Sequence, residues 1–276
     1  MLESEKSSFQ KTFDLTMTYR LDSDVYLGYG SFINKTTNQI IKPNNFLDFD
    51  KKIHLVNNLT VFGQTELVER TKDIAWLVSH CNTTIKREDY VKEMKKYRGL
   101  HIDIYGGCNN NNISTSKIPK KLEGGWETGY EMLGKKYKFY LAFENAKCMD
   151  YITEKFFTAL TAGMIPVVMG GLSKKDYEKI SPPHSYLHID DFPSPKELME
   201  KLHEISKNPR LYNSYFWWRA YYEAVVLYNP YNDPEFQSWR IPGCQLCDVL
   251  NSEHISRNNY TDFISYWHQC NLRPVI

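Results

Sequence analysis

The sequence predicts an α/β fold built on a parallel, doubly wound sheet, and three observations lead to this prediction. Short apolar runs alternate with segments of helical spacing from Asp73 onward. Two of these runs, HIDIYGG and IPVVMGG, end in glycines, as strands leading into loops often do. Residues 194–197, Ser-Pro-Lys-Glu, have the pattern of a capped helix start. Strands that alternate with helices favour a parallel sheet with helical crossovers.

The predicted elements follow one another in a regular order. Five apolar runs are interpreted as strands: IAWLVS at 74–79, HIDIYGG from His101, YKFYLAFEN at 137–145, IPVVMGG from Ile165, and SYLHID from Ser185. Four segments are predicted to be helices: 84–98, 152–162, 194 to about 207, and a stretch after Pro209. Gly163 stands where a glycine commonly ends a helix. Residues 106–130 are predicted to form a polar loop.

Composition excludes several classes of function. Hydrophobic residues make up 42% and charged residues 24% of the 276 residues, which is typical of a soluble globular protein. A net charge of +1 gives no attraction to nucleic acid or to an acidic membrane surface. No apolar run approaches the length that spans a bilayer, and the first ten residues, MLESEKSSFQ, do not resemble a signal or transit peptide. The high aromatic content, 14%, suits sugar binding as well as ordinary packing.

Glycosylation sequons and cysteines point to the secretory pathway. The sequons start at Asn34, Asn58, Asn82, Asn112 and Asn259, and chance is the alternative explanation in a chain rich in Asn, Ser and Thr. Cys81 and Cys108 each follow a predicted strand, so a parallel sheet would bring them to one edge, and we predict a disulfide between them. Cys244 and Cys247 form a CxxC pair that fits a disulfide, half a zinc site or a redox pair. A chain with these features and no export signal is expected to lack its amino-terminal portion.

The most informative segment runs from Tyr140 to Gly171, YLAFENAKCMDYITEKFFTALTAGMIPVVMGG. A predicted strand ends there in Glu-Asn, and the next predicted helix carries Glu154 and Lys155 in its first turn. Acid is favourable at a helix amino terminus, whereas lysine is unfavourable unless an anion lies opposite. Lys155 therefore indicates either a phosphate ligand or a solvated side chain on an amphipathic helix.

These residues resemble the signature of the α1,3/α1,4-fucosyltransferases of glycosyltransferase family 10. The resemblance extends to LTMTYRLDSDVYLGYG at 15–30, with Gly28 in place of a proline, and to WLVSHC from Trp76, with His80 in place of an asparagine. SYLHIDDFPSPKEL, LYNSYFWWR and the CxxC pair are similar to later blocks of the family. Together these blocks cover most of the chain from about Leu2.

The resemblance implies a GT-B fold, in which two Rossmann-like domains face each other, with the amino-terminal one truncated here. Residues 1–72 would be the remnant of the acceptor-binding domain. Residues 73–208 would be the GDP-fucose-binding domain. Residues 209–276 would be carboxy-terminal helices and a Cys-containing tail that pack back on both.

The resemblance also implies the site residues. Glu3 would be the catalytic base, although the motif around it lacks the proline of the family pattern. Two cations, Arg87 and Lys155, would hold the diphosphate. The sugar and ribose hydroxyls would be oriented by Asn145, Tyr151 and Glu154, with Tyr140 close by. The family inverts the anomeric centre in one displacement, so a base is needed but no covalent intermediate.

The tripeptide Asp22-Ser23-Asp24 has the form of the Asp-x-Asp metal motif of other sugar-nucleotide transferases. In the family resembled here it lies in the acceptor half, so we expect a structural or acceptor-contact role and no metal site. No cofactor is expected to be required, while stimulation by divalent cations stays open.

The predicted function is therefore that of an inverting fucosyltransferase of protein glycosylation. It would move L-fucose from GDP-fucose to a glycan or glycoprotein hydroxyl, in an α1,3 linkage to N-acetylglucosamine. A Golgi location is implied, with a membrane anchor that the family has and this sequence lacks. Two alternatives stay open: a transferase of the same architecture with another nucleotide sugar, and a truncated, inactive form that only binds nucleotide or a partner.

Overall fold

A computed structural model describes residues 15–48, 69–108, 125–227, 246–247, 249–251 and 270–271. Its strands, in chain order, are β1 (Met17–Thr18), β2 (Val25–Tyr26), β3 (Gly30–Asn34), β4 (Lys72–Leu77), β5 (Ile102–Tyr105), β6 (Tyr137–Phe143), β7 (Lys147–Cys148), β8 (Ile165–Met169), β9 (Leu187–His188), β10 (Tyr222–Val226) and β11 (Cys270–Asn271). Its α-helices are α1 (Arg87–Met94), α2 (Gly125–Lys136), α3 (Glu154–Thr161), α4 (Lys174–Ile180), α5 (Pro195–Lys207) and α6 (Pro209–Ser214).

The centre of the fold is a parallel sheet of five strands in the order β5-β4-β6-β8-β9. Nearly every residue of β6 and β8 is buried, as expected for strands covered on both faces. From β4 the chain first runs to β5 on one side, then crosses to β6 on the other. This reversal creates a switch point at the carboxyl ends of β4 and β6, the place where sheets of this kind bind ligands.

The signals that end and begin helices act as the sequence predicts. Gly163 has a positive φ of 75° just beyond α3, a conformation that side chains other than glycine rarely adopt. The Ser194 hydroxyl accepts a hydrogen bond from the Lys196 amide at the start of α5, at 3.2 Å. Pro195 and Pro209 occupy the first positions of α5 and α6, where no backbone N–H is needed.

Three elements differ from the prediction. The polar loop predicted for 106–130 gives way at Gly125 to helix α2. Helix α4 was not predicted, because it has only seven residues and three of them are lysines. The strand predicted at SYLHID is only two residues long, and a 3-10 turn at Ile189–Asp191 follows it.

The amino-terminal segment joins the sheet domain through strand β3. It pairs antiparallel with β10, with Phe32 opposite Ala224. Gly30 lies so close to α3 that a Cβ atom there would stand 2.2 Å from the ring of Phe157. The buried Phe32 ring packs edge-on against Trp218, at 5.4 Å between centroids. The predicted domain boundaries at 72/73 and 208/209 stay predictions.

The predicted disulfide between Cys81 and Cys108 is confirmed, with the two Cα atoms 5.1 Å apart. It follows β4 and β5, the edge from which the pairing was predicted. Cys148 is also disulfide-bonded, and its backbone pairs with that of Cys270 across β7 and β11. Cys247 is an exposed free thiol, while Cys244 lies outside the described residues.

Within the part of the chain that the structure describes, none of the helices combines the length and apolar character that a bilayer crossing requires.

We expect removal of the Cys81–Cys108 disulfide to lower the free energy of unfolding by about 3.5 kcal/mol, since it closes a loop of 27 residues in the unfolded chain. Urea unfolding of a Cys81→Ser/Cys108→Ser variant measures this. The matched control is Cys247→Ser, which removes an exposed free thiol. An equal loss in both variants would contradict the expected role.

We also expect His188 to destabilise the protein in acid. Burial lowers its pKa to about 4, against the opposing effect of the Asp190 carboxylate. Between pH 6.5 and 4 the unfolded chain then binds more protons than the folded one. The free energy of unfolding is therefore unaffected by His188 above pH 6.5, and it falls by up to about 3 kcal/mol as the pH is lowered from 6.5 to 4. Urea unfolding of His188→Asn over this range should show a shallower dependence of stability on pH than unfolding of the wild type.

Candidate functional site

The switch point at the carboxyl ends of β4 and β6 brings together most of the residues that the sequence predicts for the site. Arg87 opens α1, Tyr140 lies in β6, and Asn145 follows that strand on the surface. Tyr151, Glu154 and Lys155 lie at the entry to α3. The predicted base, Glu3, lies outside the described residues.

The Lys155 ammonium is held by three oxygen atoms. It lies 2.7 Å from the Thr153 hydroxyl, 3.1 Å from a Glu144 carboxylate oxygen and 3.2 Å from a Glu154 carboxylate oxygen. Its side chain is 22% exposed, so the charge can reach an incoming ligand. Burial alone would lower the pKa of Lys155, but the Glu144 and Glu154 carboxylates outweigh it and raise the pKa. The lysine is therefore a fixed positive charge at the start of α3.

Glu144 is the residue that organises this arrangement, and sequence reasoning did not assign it a role. Its side chain is fully buried and accepts hydrogen bonds from the Thr153 amide and hydroxyl, at 2.8 and 2.9 Å. Because Thr153 turns its hydroxyl to Glu144, the amino terminus of α3 has no side-chain cap. Burial raises the pKa of Glu144, while Lys155 acts to lower it. A carboxylate directly after an apolar strand, with a lysine in the next helix, is the sequence signal that could have revealed it.

Arg87 is buried at the same edge of the sheet. Its guanidinium donates to the carbonyl oxygen of His80 at 2.9 Å and to that of Phe143, which ties together the ends of β4 and β6. It also lies over the Trp76 ring, 5.8 Å from the centroid. Burial lowers the pKa of Arg87, against the raising effect of Glu144. Its Nε–H has no partner among the described residues, so one donor at the switch point is unused.

Tyr140 and Tyr151 occupy different environments, although the sequence places both in the site. Tyr140 is fully buried in β6, and its hydroxyl lies 3.0 Å from that of Tyr130. Burial raises the pKa of Tyr140 well above its usual value. Tyr151 is partly exposed beside Lys155, at the entry to α3. The Tyr140 ring therefore lies in the core of the sheet domain, whereas part of the Tyr151 side chain is accessible to solvent.

Two further tyrosines surround Tyr151, and both come from the amino-terminal segment. Tyr19 meets Tyr151 edge-on with 5.2 Å between ring centroids, and Tyr29 meets it at 6.3 Å. Burial and the nearby Glu154 and Glu144 carboxylates raise the pKa of Tyr29 to about 12. Aromatic rings of this kind suit the apolar faces of sugars. Sequence reasoning did not place Tyr19 or Tyr29 in the site, because contacts between distant segments leave no local signal.

The Asp-Ser-Asp tripeptide makes local hydrogen bonds and contacts. Asp22 receives two hydrogen bonds from the buried Arg20 guanidinium, at 2.9 and 2.6 Å. Asp24 accepts from the Thr16 amide and hydroxyl at 2.7 and 3.0 Å. Among the described residues, no three His, Cys, Asp or Glu side chains are grouped as they would be to hold a metal ion. These contacts support a structural role for the tripeptide.

The geometry suits an anionic ligand with a sugar attached. One partly exposed cation, Lys155, stands at a helix amino terminus without a side-chain cap, where backbone amides and the helix dipole favour negative charge. Carboxylates next to it can accept hydrogen bonds from hydroxyl groups, and tyrosine rings border the same place. Such an arrangement can hold a sugar phosphate and stabilise a departing diphosphate.

Comparison with known proteins identifies the family. The model described as "Glycosyltransferase family 10 (fucosyltransferase) C-term" matches residues 67–267. Alpha-(1,3)-fucosyltransferase C of Drosophila melanogaster is 36% identical over 270 residues, or 97% of this chain and 57% of that protein. Glycoprotein 3-alpha-L-fucosyltransferase A of Drosophila melanogaster is 41% identical over 203 residues, or 72% of this chain and 36% of that protein. The chain spans little more than half the length of the first relative and less of the second.

A vertebrate relative and a solved structure complete the comparison. The 4-galactosyl-N-acetylglucosaminide 3-alpha-L-fucosyltransferase 9 of Mus musculus is 32% identical over 254 residues, or 92% of this chain and 56% of that protein. The crystal structure of an alpha1,3-fucosyltransferase with GDP-fucose aligns with a TM-score of 0.47 and 18% identity, over 75% of this chain and 55% of that one. On the family match and the sequence identities, the chain belongs to glycosyltransferase family 10, the fucosyltransferase family, and its five-stranded parallel sheet confirms the α/β class predicted from the sequence.

Proposed function

We propose that the protein transfers L-fucose from GDP-fucose to a glycan hydroxyl, in an α1,3 linkage to N-acetylglucosamine. The observation that carries the proposal is the Lys155 ammonium, held by Glu144 at the uncapped start of α3 and beside the switch point of the sheet. The relatives named above are α1,3-fucosyltransferases, which supports the linkage. A glycan or glycoprotein would be the acceptor, and the disulfides fit the Golgi lumen as the site of action.

The charges around Lys155 indicate how a diphosphate would be accepted. The charges of Arg87 and Lys155 balance those of Glu144 and Glu154, so these four side chains together carry no net charge. We expect Glu154, the exposed member of this group, to turn toward a sugar or ribose hydroxyl when the donor binds. Lys155 and the first amides of α3 then face the diphosphate, and Glu144 keeps the ammonium in place. Arg87 would contribute through its unused Nε–H.

The reaction follows from this placement. Cleavage of the bond between the sugar and the phosphate develops negative charge on the diphosphate, which Lys155 and the helix amino terminus stabilise. The acceptor hydroxyl attacks the opposite face of the anomeric carbon, so the configuration inverts in a single displacement. A base must take the hydroxyl proton, and Glu3 is our candidate by resemblance to the family. Asn145 and Tyr151 would orient the sugar from the surface of the site. We assign no metal or other cofactor to the reaction.

Donor specificity gives the first test. We expect calorimetry to show tighter binding of GDP than of UDP or CMP, because the residues from Arg87 to Lys155 match the donor residues of the family in order and spacing. Transfer from GDP-fucose to N-glycan acceptors, with protein from a secretory host, completes the test. If UDP bound as tightly as GDP, the assignment of GDP-fucose as the donor would be refuted. GDP binding without fucose transfer would refute the proposed transferase activity.

Substitution of the cations gives the second test. Lys155→Ala is expected to weaken GDP binding by about 1.5–3 kcal/mol, the usual contribution of a hydrogen bond to a charged group, and Arg87→Ala by a similar amount. The control Lys196→Ala changes an exposed lysine of α5 and should bind GDP like the wild type. Thermal unfolding shows whether each variant is folded. Wild-type affinity for GDP in both folded variants would refute the proposal that Lys155 and Arg87 bind the diphosphate.

A further inference from the structure

Asp150, in the loop before α3, connects three separate parts of the chain. It is 7% exposed and has a positive φ of 56°, a conformation that aspartate tolerates better than most residues. One carboxylate oxygen accepts a hydrogen bond from the Leu21 amide at 3.1 Å. The other lies 3.2 Å from the Lys179 ammonium in α4. One buried side chain thus bridges the amino-terminal segment, the loop and helix α4.

The backbone of Asp150 is fixed as well. Its amide donates to a carboxylate oxygen of Asp176 at 3.1 Å, and the same oxygen accepts from the Leu172 amide at 2.7 Å. Lys179 also lies 3.2 Å from the second oxygen of Asp176, so it is shared between the two aspartates. Both aspartates are buried, and their hydrogen bonds lock the loop against α4.

Asp150 lies next to the candidate site, so the bridge affects the arrangement of residues there. Asp150 directly precedes Tyr151, and Leu21 lies two residues after Tyr19. The rings of Tyr19 and Tyr151 meet at 5.2 Å, so the hydrogen bond between Leu21 and Asp150 holds the backbones on either side of that contact. It therefore sets the distance between the amino-terminal segment and the loop that leads into α3.

We propose that Asp150 is a positioning residue of the transfer reaction, which fixes the Tyr151 loop relative to the amino-terminal segment. The inference rests on the proposed function, because the acceptor is expected on the amino-terminal side and the donor on the side of α3. The partners of Lys155 given above are Glu144, Thr153 and Glu154, and Asp150 is not among them. Loss of the Asp150 carboxylate should therefore slow transfer more than it weakens nucleotide binding.

Three variants and a control separate the contribution of the Asp150 hydrogen bond from that of its ion pair with Lys179. Asp150→Gly removes the carboxylate but keeps a residue that accepts positive φ, so backbone strain is not introduced. Asp150→Asn keeps an oxygen acceptor for the Leu21 amide and a residue that tolerates this φ. Lys179→Gln removes the ion pair from the opposite side, at a side chain that is 35% exposed. The control Lys174→Gln removes an exposed ion pair with Asp191 from the same helix.

The kinetic result expected for Asp150→Gly is a kcat lowered by about tenfold or more with GDP affinity within about threefold of wild type, because misplacement by about 1 Å can cost about 10²-fold in rate. Asp150→Asn should recover most of the rate, Lys179→Gln should lose about threefold, and Lys174→Gln should be unchanged. Unchanged kcat in Asp150→Gly, or a loss confined to GDP affinity, would overturn the inference. If Asp150→Gly does not fold, the kcat of Lys179→Gln tests the inference instead, and an unchanged kcat in that variant would overturn it.

Hydrogen exchange does not depend on transfer activity, so it tests the role of Asp150 separately from the proposed function. Hydrogen exchange of the Leu21 amide should be faster by about tenfold or more in Asp150→Gly than in the wild type, and close to wild type in Asp150→Asn, since only the first variant lacks an acceptor. Absence of transfer by the wild type would refute the proposed function alone. Unchanged exchange at Leu21 would refute the bridge itself, whatever the activity.

Discussion

The arrangement of the site depends on one buried carboxylate, that of Glu144. A buried charge at the end of a strand is costly unless it is satisfied, and Thr153 and Lys155 satisfy it. This pairing has two effects at the same time. It withdraws the Thr153 hydroxyl from the amino terminus of α3, and it holds a lysine at a helix end where the dipole disfavours one. Strand β6, helix α3 and the cation between them therefore form one electrostatic unit.

The sequence predicts the central sheet well because the sheet is built from local signals. Apolar runs mark β4, β6 and β8, and Gly163 and Ser194 act as a helix end and a helix start through backbone conformation and capping. Helix α2 was missed because its glycines, such as Gly129 and Gly134, lower the intrinsic helix propensity. Packing overrides this preference, since a Cβ at Gly134 would stand 2.1 Å from a carbonyl oxygen of the adjoining helix end.

The candidate site was predictable only in part. Motif spacing indicated Lys155 and Tyr151, and the structure places both beside the switch point of the sheet. The same reasoning could not show that Tyr140 faces the core, because apolar and aromatic residues occupy both faces of a strand that is covered on both sides, so the sequence does not reveal their direction. It also could not reveal Tyr19, whose contact with Tyr151 joins positions far apart in the chain.

The pairing of β3 with β10 also constrains the order in which the chain can fold. Phe32 lies opposite Ala224, so β3 cannot pair with β10 until the residues between the two strands have been synthesised. At about 5–20 residues per second, the delay on a ribosome is about 10–40 s. During that interval β3 has an open edge and its phenylalanine lacks Trp218 as a neighbour. Protection of β3 by chaperones before it pairs with β10 would limit aggregation, and mutations in β10 would affect the folding of a strand far earlier in the sequence.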